Sequence, residues 1–186
     1  MSAPSILWLV VVVLAVAGVA LALVATLRRI YWLALFAVVP VGAGLLLDAL
    51  QFAKPQNVVF LVALGVCMVA LATVAGSPFV SLVMTSITKL PEPADSNGGI
   101  PKDESPSGTS PSQQILRGGA TIGYLERFAL VGSLLLGQAA AIAIIVAIKG
   151  LGRFTELDTS VARERFIIGT LVSLTWAALA ISVVLV

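Results

Sequence analysis

Apolar runs separated by short polar segments occupy the first 76 residues of the chain. Three runs each approach the roughly 20 apolar residues that a helix needs to cross a bilayer, at residues 6–27, 30–47 and 58–75. Only an arginine pair and one short polar loop interrupt them. The pattern therefore predicts an N-terminal unit of three membrane-spanning helices, residues 1–76.

Charges beside the first run predict its orientation. The segment before it, MSAPS, has no Lys or Arg, whereas Arg28 and Arg29 follow it directly. A cleaved signal peptide has the opposite arrangement, and cytoplasmic loops carry an excess of Lys and Arg. We expect a membrane span with its N-terminus outside, in a multi-pass protein of the cell (plasma) membrane.

Prolines modify two of these segments. Pro40 lies in the middle of the second run and two glycines follow it, so a kink is predicted there, although membrane helices also tolerate proline. Pro78 follows the third run, and Ser and Thr residues then recur opposite apolar residues at helical spacing. Residues 77–90 are therefore predicted to form a short amphipathic helix in the inner interface. The alternative is that the third span continues past Pro78.

Residues 91–114 have a different composition. They hold five of the nine prolines and no apolar periodicity, so they cannot bury enough surface to fold alone. We expect a disordered cytoplasmic linker. It is either a passive tether or a segment for docking or serine phosphorylation.

Two topologies remain open for the C-terminal unit, residues 115–186. Residues 121–148 form either one span or two shorter helices with an outer turn at Gly137 and Gln138. With the turn, every Lys and Arg except Lys54 lies inside, whereas one long span would divide the 11 basic residues almost evenly. The positive-inside bias favours the turn. The predicted fold class is an all-α polytopic membrane helix bundle with six membrane-embedded helices, or five with one long span, plus the interfacial helix.

Composition agrees with that class and excludes several kinds of site. Hydrophobic residues make up 59% of the chain and charged residues only 11%, whereas soluble proteins have about 25% charged residues. The chain has no His, and its single cysteine, Cys67, lies in an apolar run, which argues against metal sites, His-based catalysis and an intrachain disulfide. The net charge of +2 provides no basic face for nucleic acid. We expect lipid as a partner, and no cofactor, metal or nucleic acid.

Four charged residues in the C-terminal unit form the candidate site. In an antiparallel hairpin about Gly137, Glu126 and Lys149 lie equally far from the turn, so they are predicted to pair. Arg127 and Arg153 are predicted nearer the cytoplasmic side, where they reach lipid phosphates or meet glutamates of the last loop. The alternative is that all four charges only hold helices together or lie among headgroups.

Small residues at helical spacing predict close packing of the C-terminal helices. Such residues let helix backbones approach each other within membranes. They form one step and two longer series: Gly119 and Gly123; Ala139, Ala143 and Ala147; Gly169, Ser173 and Ala177. A tight three-helix unit is therefore predicted.

The segments IGYLER, GQ, KGLGRFTEL and ERFIIGTLVS follow one another over residues 118–177. This pattern resembles a family of uncharacterised bacterial multi-spanning membrane proteins with a C-terminal unit of the form IGxLER, GQ, KGxxRFxEL and IGTLxS. The resemblance implies no activity. It implies that the following residues belong to the family's pattern: Glu126, Arg127, Gln138, Lys149, Gly150, Arg153 and Phe154.

Three function classes fit these features. The small size and the lack of a catalytic constellation favour a scaffold or accessory subunit of a membrane complex, which is not an enzyme and contacts a membrane-protein partner or a second copy of the chain. A small transporter or channel component is the second class, with Glu126 binding a cation or proton between helices. An enzyme acting on lipid headgroups, with Glu126 as its base, is the third.

Overall fold

The computed structural model describes residues 3–55, 57–88, 119–152 and 159–185. Within these ranges all regular secondary structure is helical, so the all-α class is confirmed. The predicted linker, residues 91–114, lies outside the described residues. The helices are α1 (Ala3–Arg28), a 3-10 segment (Tyr31–Ala37), α2 (Val38–Ala49), α3 (Val58–Val74), α4 (Gly76–Thr88), α5 (Gly119–Leu135), α6 (Ala141–Leu151) and α7 (Ser160–Leu185).

Four helical segments of the described chain are long and apolar enough to cross a membrane: Pro4–Arg28, Tyr31–Ala49, Val58–Ser86 and Ser160–Leu185. The predicted count of six membrane-embedded helices is not confirmed. The difference lies in α5 and α6, which have 17 and 11 residues. At about 1.5 Å per residue, they are roughly 25 and 16 Å long, whereas the hydrocarbon core is about 30 Å thick.

The second apolar run changes its helical form before Pro40. The 3-10 segment ends at Ala37, α2 begins at Val38, and Pro40 is the third residue of α2. Proline is tolerated in the first turn of a helix, where its missing N–H has no helical partner. The irregularity that the sequence predicts near the middle of this run is thus a change from 3-10 to α-helix at residues 37 and 38, with Pro40 in the first turn of α2.

Only Ala75 separates α3 from α4, and its backbone is itself helical, with φ −71° and ψ −17°. The backbone N–H of Ala75 donates to Leu71, and that of Phe79 donates to Ala75. Pro78 has no N–H to donate to the carbonyl of Val74, four residues earlier, which explains why the regular pattern is interrupted at Ala75. The helical run thus continues past Pro78, as the alternative from the sequence allowed. The interfacial location of residues 77–90 stays a prediction.

Helix α7 lies at the centre of the bundle and packs against α2, α3, α4 and α5. Gly44 of α2 lies so close to Val183 that an added Cβ would be 2.5 Å from its side chain. The indole of Trp176 donates a hydrogen bond of 3.3 Å to the carbonyl of Leu71, and its ring stacks on Phe79. The N-terminal and C-terminal helices therefore share one interior, while α6 lies at its edge against α5.

Candidate functional site

The chain turns between α5 and α6 at Gly137 and Gln138. Gly137 has φ +70°, in the left-handed region that glycine adopts without strain. The N–H of Gln138 donates to Ser133, at 2.7 Å, and that of Gly137 donates to Leu134, at 3.0 Å. This pair of bonds is the Schellman arrangement that closes a helix C-terminus. Residues 121–148 therefore form two helices in the structure rather than one.

The hairpin brings Glu126 of α5 and Lys149 of α6 together in an ion pair. Their side chains are only 11% and 19% exposed, respectively. The equal distance of the two residues from the turn explains the contact, because antiparallel helices place such residues at the same level. The pair joins the edge helix α6 to the rest of the bundle.

Arg127 does not extend towards headgroups in the structure but points into the bundle, with 3% of the residue exposed. Its guanidinium donates three hydrogen bonds: Nε to the carbonyl of Thr73 (2.8 Å), Nη1 to Ser173 (3.1 Å) and Nη2 to Ser77 (2.6 Å). The ring of Tyr124 lies 5.2 Å from the guanidinium carbon. One side chain of α5 thus joins α3, α4 and α7.

The break between α3 and α4 creates the space and the acceptors for Arg127. Thr73 is in the last turn of α3, where carbonyls lack partners within the helix. Gly76 has no side chain, and a Cβ there would lie 2.5 Å from Cδ of Arg127. The hydroxyl of Ser77 follows immediately. We call this cluster of Thr73, Gly76, Ser77, Arg127 and Ser173 the arginine junction.

A cavity of about 360 Å³ opens beside the arginine junction, between α4, α5 and α7, with Lys149 of α6 also contributing to its wall. Glycines thin its walls on α5 and α7, at Gly123 and Gly169. Its polar lining consists of three cations and four hydroxyl groups: Arg127, Lys149, Arg165, Ser77, Ser81, Thr170 and Ser173. The hydroxyl of Thr170 is buried and has no hydrogen-bond partner in the described part of the chain.

The small-residue series differ in their surroundings. Ser173 and Ala177 are buried, and Gly169 lies 3.7 Å, measured from an ideal Cβ, from Val80 of α4. Gly123 faces Arg127 in the same way, and Gly119 is the first residue of α5. In contrast, the alanine series of the hairpin is exposed, because α6 lies at the edge: Ala139, Ala143 and Ala147.

The sequence does not assign three residues of this region to a site: Thr73, Thr170 and Arg165. Thr73 and Thr170 are ordinary helical residues in a sequence with many hydroxyl side chains. From the sequence, Arg165 is only one of the basic residues predicted to lie inside. The break at Gly76 to Pro78 was the available signal, because a helix end leaves carbonyls that a buried donor can satisfy. Arg153, also predicted at the site, lies outside the described residues.

The polar lining of this cavity combines cationic side chains with hydroxyl groups. Within the described residues there is no group of three or more His, Cys, Asp or Glu side chains that could hold a metal ion. No carboxylate lines the cavity in the described residues, and Glu126, which precedes Arg127, is paired with Lys149. Guanidinium, ammonium and hydroxyl groups all donate hydrogen bonds.

Comparisons of the chain with protein-family models, with curated proteins and with solved structures found no match. The resemblance to the bacterial family with the IGxLER and KGxxRFxEL segments therefore stays a prediction.

Proposed function

We propose that this protein is a scaffold or accessory subunit of a membrane complex and that the α5–α6 hairpin is its contact element. The observation that carries the proposal is the position of α6. This helix has 11 residues, none of them buried, and packs chiefly against α5. A helix of roughly 16 Å cannot cross a 30 Å core alone, and a helix from another protein would cover its ends and its exposed face.

The topology that accompanies this proposal has six membrane-embedded helices, with the N-terminus outside and residues 91–114 in the cytoplasm of a bacterial cell. The four long segments supply four of them, and α5 and α6 form a shallow pair that locally thins the bilayer. The positive-inside bias supports it, because Lys54 is then the only basic residue outside.

Site-directed crosslinking in the native membrane tests the contact element. In a Cys67→Ala background, a photoreactive maleimide is attached at Ile144→Cys on α6 or at Val13→Cys on α1. These positions match in exposure, at 62% and 60%. We expect one protein partner to crosslink at residue 144 and not at residue 13. Crosslinks of the chain to itself would indicate a homo-oligomer, and equal labelling at both positions would contradict the proposal.

Co-purification adds an independent test of the same function. Mass spectrometry of the full-length protein from its native membrane is compared with a variant that lacks residues 91–114. A stoichiometric partner supports the subunit role, and its loss in the deletion assigns docking to the linker. Purification with lipid alone, in both forms, would remove the support for a scaffold.

A transporter or channel component is the second candidate, favoured by the partly buried Glu126–Lys149 pair beside a polar cavity. A carboxylate that carries a proton or cation must exchange its partner during transport. Proton or cation flux into liposomes that hold the purified protein, lost in Glu126→Gln, would support this class. An enzyme acting on lipid headgroups would require Glu126 to leave Lys149 before it could serve as a base.

A further inference from the structure

The cavity beside the arginine junction has an excess of positive charge. Arg127 and Arg165 line it without a carboxylate partner in the described residues, and Lys149 lines it while paired with Glu126. Arg165 is exposed, whereas Arg127 is buried. One cation therefore lies at the mouth of the cavity and one at its inner wall. Buried charges are normally paired, and although the charge of Glu126 acts on Arg127, the guanidinium has no salt bridge among the described residues, which leaves a place for an anion.

Unused hydrogen-bond donors point to the same conclusion. The three bonds of Arg127 account for three of the five N–H groups of a guanidinium. Thr170 is 7% exposed, lines the cavity, and has no partner for its hydroxyl within the described chain. A buried hydroxyl without a partner is rare in proteins, because it has lost its hydrogen bonds to water. Both residues thus retain capacity for an acceptor inside the cavity.

We propose that this cavity binds a phosphate group, carried either by a lipid headgroup or by free inorganic phosphate. A phosphate presents several acceptor oxygens and more than one negative charge, which suits nearby hydroxyls and two arginines that form no ion pair within the described residues. The volume of about 360 Å³ greatly exceeds the roughly 10 to 15 Å³ that a cavity needs to hold one water molecule. It accommodates a phosphate together with the first atoms that it is attached to. The proposal is independent of the accessory role inferred from α6.

Two substitutions probe the cavity without disturbing the arginine junction. Thr170→Val keeps the shape of the side chain and removes the unpartnered hydroxyl. Arg165→Gln removes the exposed cation at the mouth. Arg163→Gln is the matched control, because Arg163 is exposed on the same helix, two residues away, and does not line the cavity. Without ligand, Thr170→Val should be at least as stable as the parent protein, since no hydrogen bond is lost.

Binding is measured on the full-length protein in neutral detergent, by thermal unfolding and by native mass spectrometry. One arm titrates inorganic phosphate against chloride at equal ionic strength. The other compares a short-chain phosphatidic acid with the diacylglycerol that has the same acyl chains. We expect a phosphate-bearing ligand to raise the unfolding temperature. The apparent Kd should be about tenfold higher in Thr170→Val and Arg165→Gln but unchanged in Arg163→Gln.

The two arms separate the sources of the phosphate. Stabilisation by phosphatidic acid alone assigns the site to a lipid headgroup, and equal stabilisation by inorganic phosphate assigns it to the free anion. The proposal is overturned if neither ligand binds or if diacylglycerol acts as strongly as phosphatidic acid. It is also overturned if the three variants bind alike, because attraction by surface charge alone would not distinguish Arg165 from Arg163.

Discussion

Glu126 and Arg127 are neighbours in the chain, yet they serve two different regions of the molecule. Glu126 faces the edge of the bundle, where it meets an ammonium group from α6. Arg127 points into the interior, where a carbonyl and two hydroxyls accept its hydrogen bonds. Successive residues of an α-helix are turned by about 100° around its axis, which permits this division. The edge pair attaches one helix, whereas the arginine junction holds four together.

The largest effect is expected from Arg127→Met. The substitution leaves the carbonyl of Thr73 without its partner and two serine hydroxyls in a poorly filled space. An unsatisfied buried acceptor costs about 1 to 3 kcal/mol, so we expect a loss of roughly 3 to 4 kcal/mol in the free energy of unfolding, measured in detergent. Arg127→Lys keeps the charge but cannot reach all three acceptors. Full rescue by Lys would show that charge, rather than the branched geometry, matters.

Gly76→Ala disturbs the same junction from the other side. Its new Cβ would lie 2.5 Å from Cδ and 2.7 Å from Nε of Arg127, so the guanidinium must move away from Thr73. We expect a loss of about 2 kcal/mol, as for other overpacked interiors. Gly65→Ala is the control on α3, because its Cβ would meet nothing within 4 Å. Equal stability of the two variants, by thermal unfolding, would mean that the junction adjusts freely.

A smaller effect, which a second substitution should reverse, is expected at the Glu126–Lys149 pair. Lys149→Met leaves the partly buried carboxylate of Glu126 without its partner and should cost about 1 to 2 kcal/mol. Adding Glu126→Gln removes the stranded charge, so the double variant should recover most of the folded yield. Fluorescence-detected size exclusion measures that yield for the single and double variants. Equal yields for all of them would show that the contact contributes nothing to folding.

Much of the fold followed from the lengths of the apolar runs. The long helices α1, α3 and α7 lie within or around apolar runs, and an apolar run of about 20 residues in a bilayer has few alternatives to a helix. The sequence did not predict which helices share one interior, because helix faces in a membrane protein are apolar on both the lipid side and the protein side. Gly44 against Val183 is a contact of this kind, since nothing in either segment singles out the partner.

The Glu126–Lys149 pair and the arginine junction also differed in how far the sequence predicted them. The level of Glu126 and Lys149 could be worked out from their distances to the turn, since a helix has a fixed rise per residue. The inward direction of Arg127 could not, because its acceptors are a backbone carbonyl and hydroxyls from α3, α4 and α7. Those acceptors carry no charge that marks them in a sequence, and their sequence separation from Arg127 reaches 54 residues.

The smallest effect concerns the turn that brings the edge pair together. Gly137 has φ +70°, and a side chain in this left-handed region is disfavoured by about 1 kcal/mol or slightly more. Gly137→Ala should therefore lower the unfolding free energy by about 1 kcal/mol, although its Cβ would touch nothing within 4 Å. Gly132→Ala, equally open but inside α5, should instead be neutral or stabilising, because alanine favours the helix. Thermal unfolding of both variants would separate backbone strain from packing, and a destabilised Gly132→Ala beside a neutral Gly137→Ala would contradict this account of the turn.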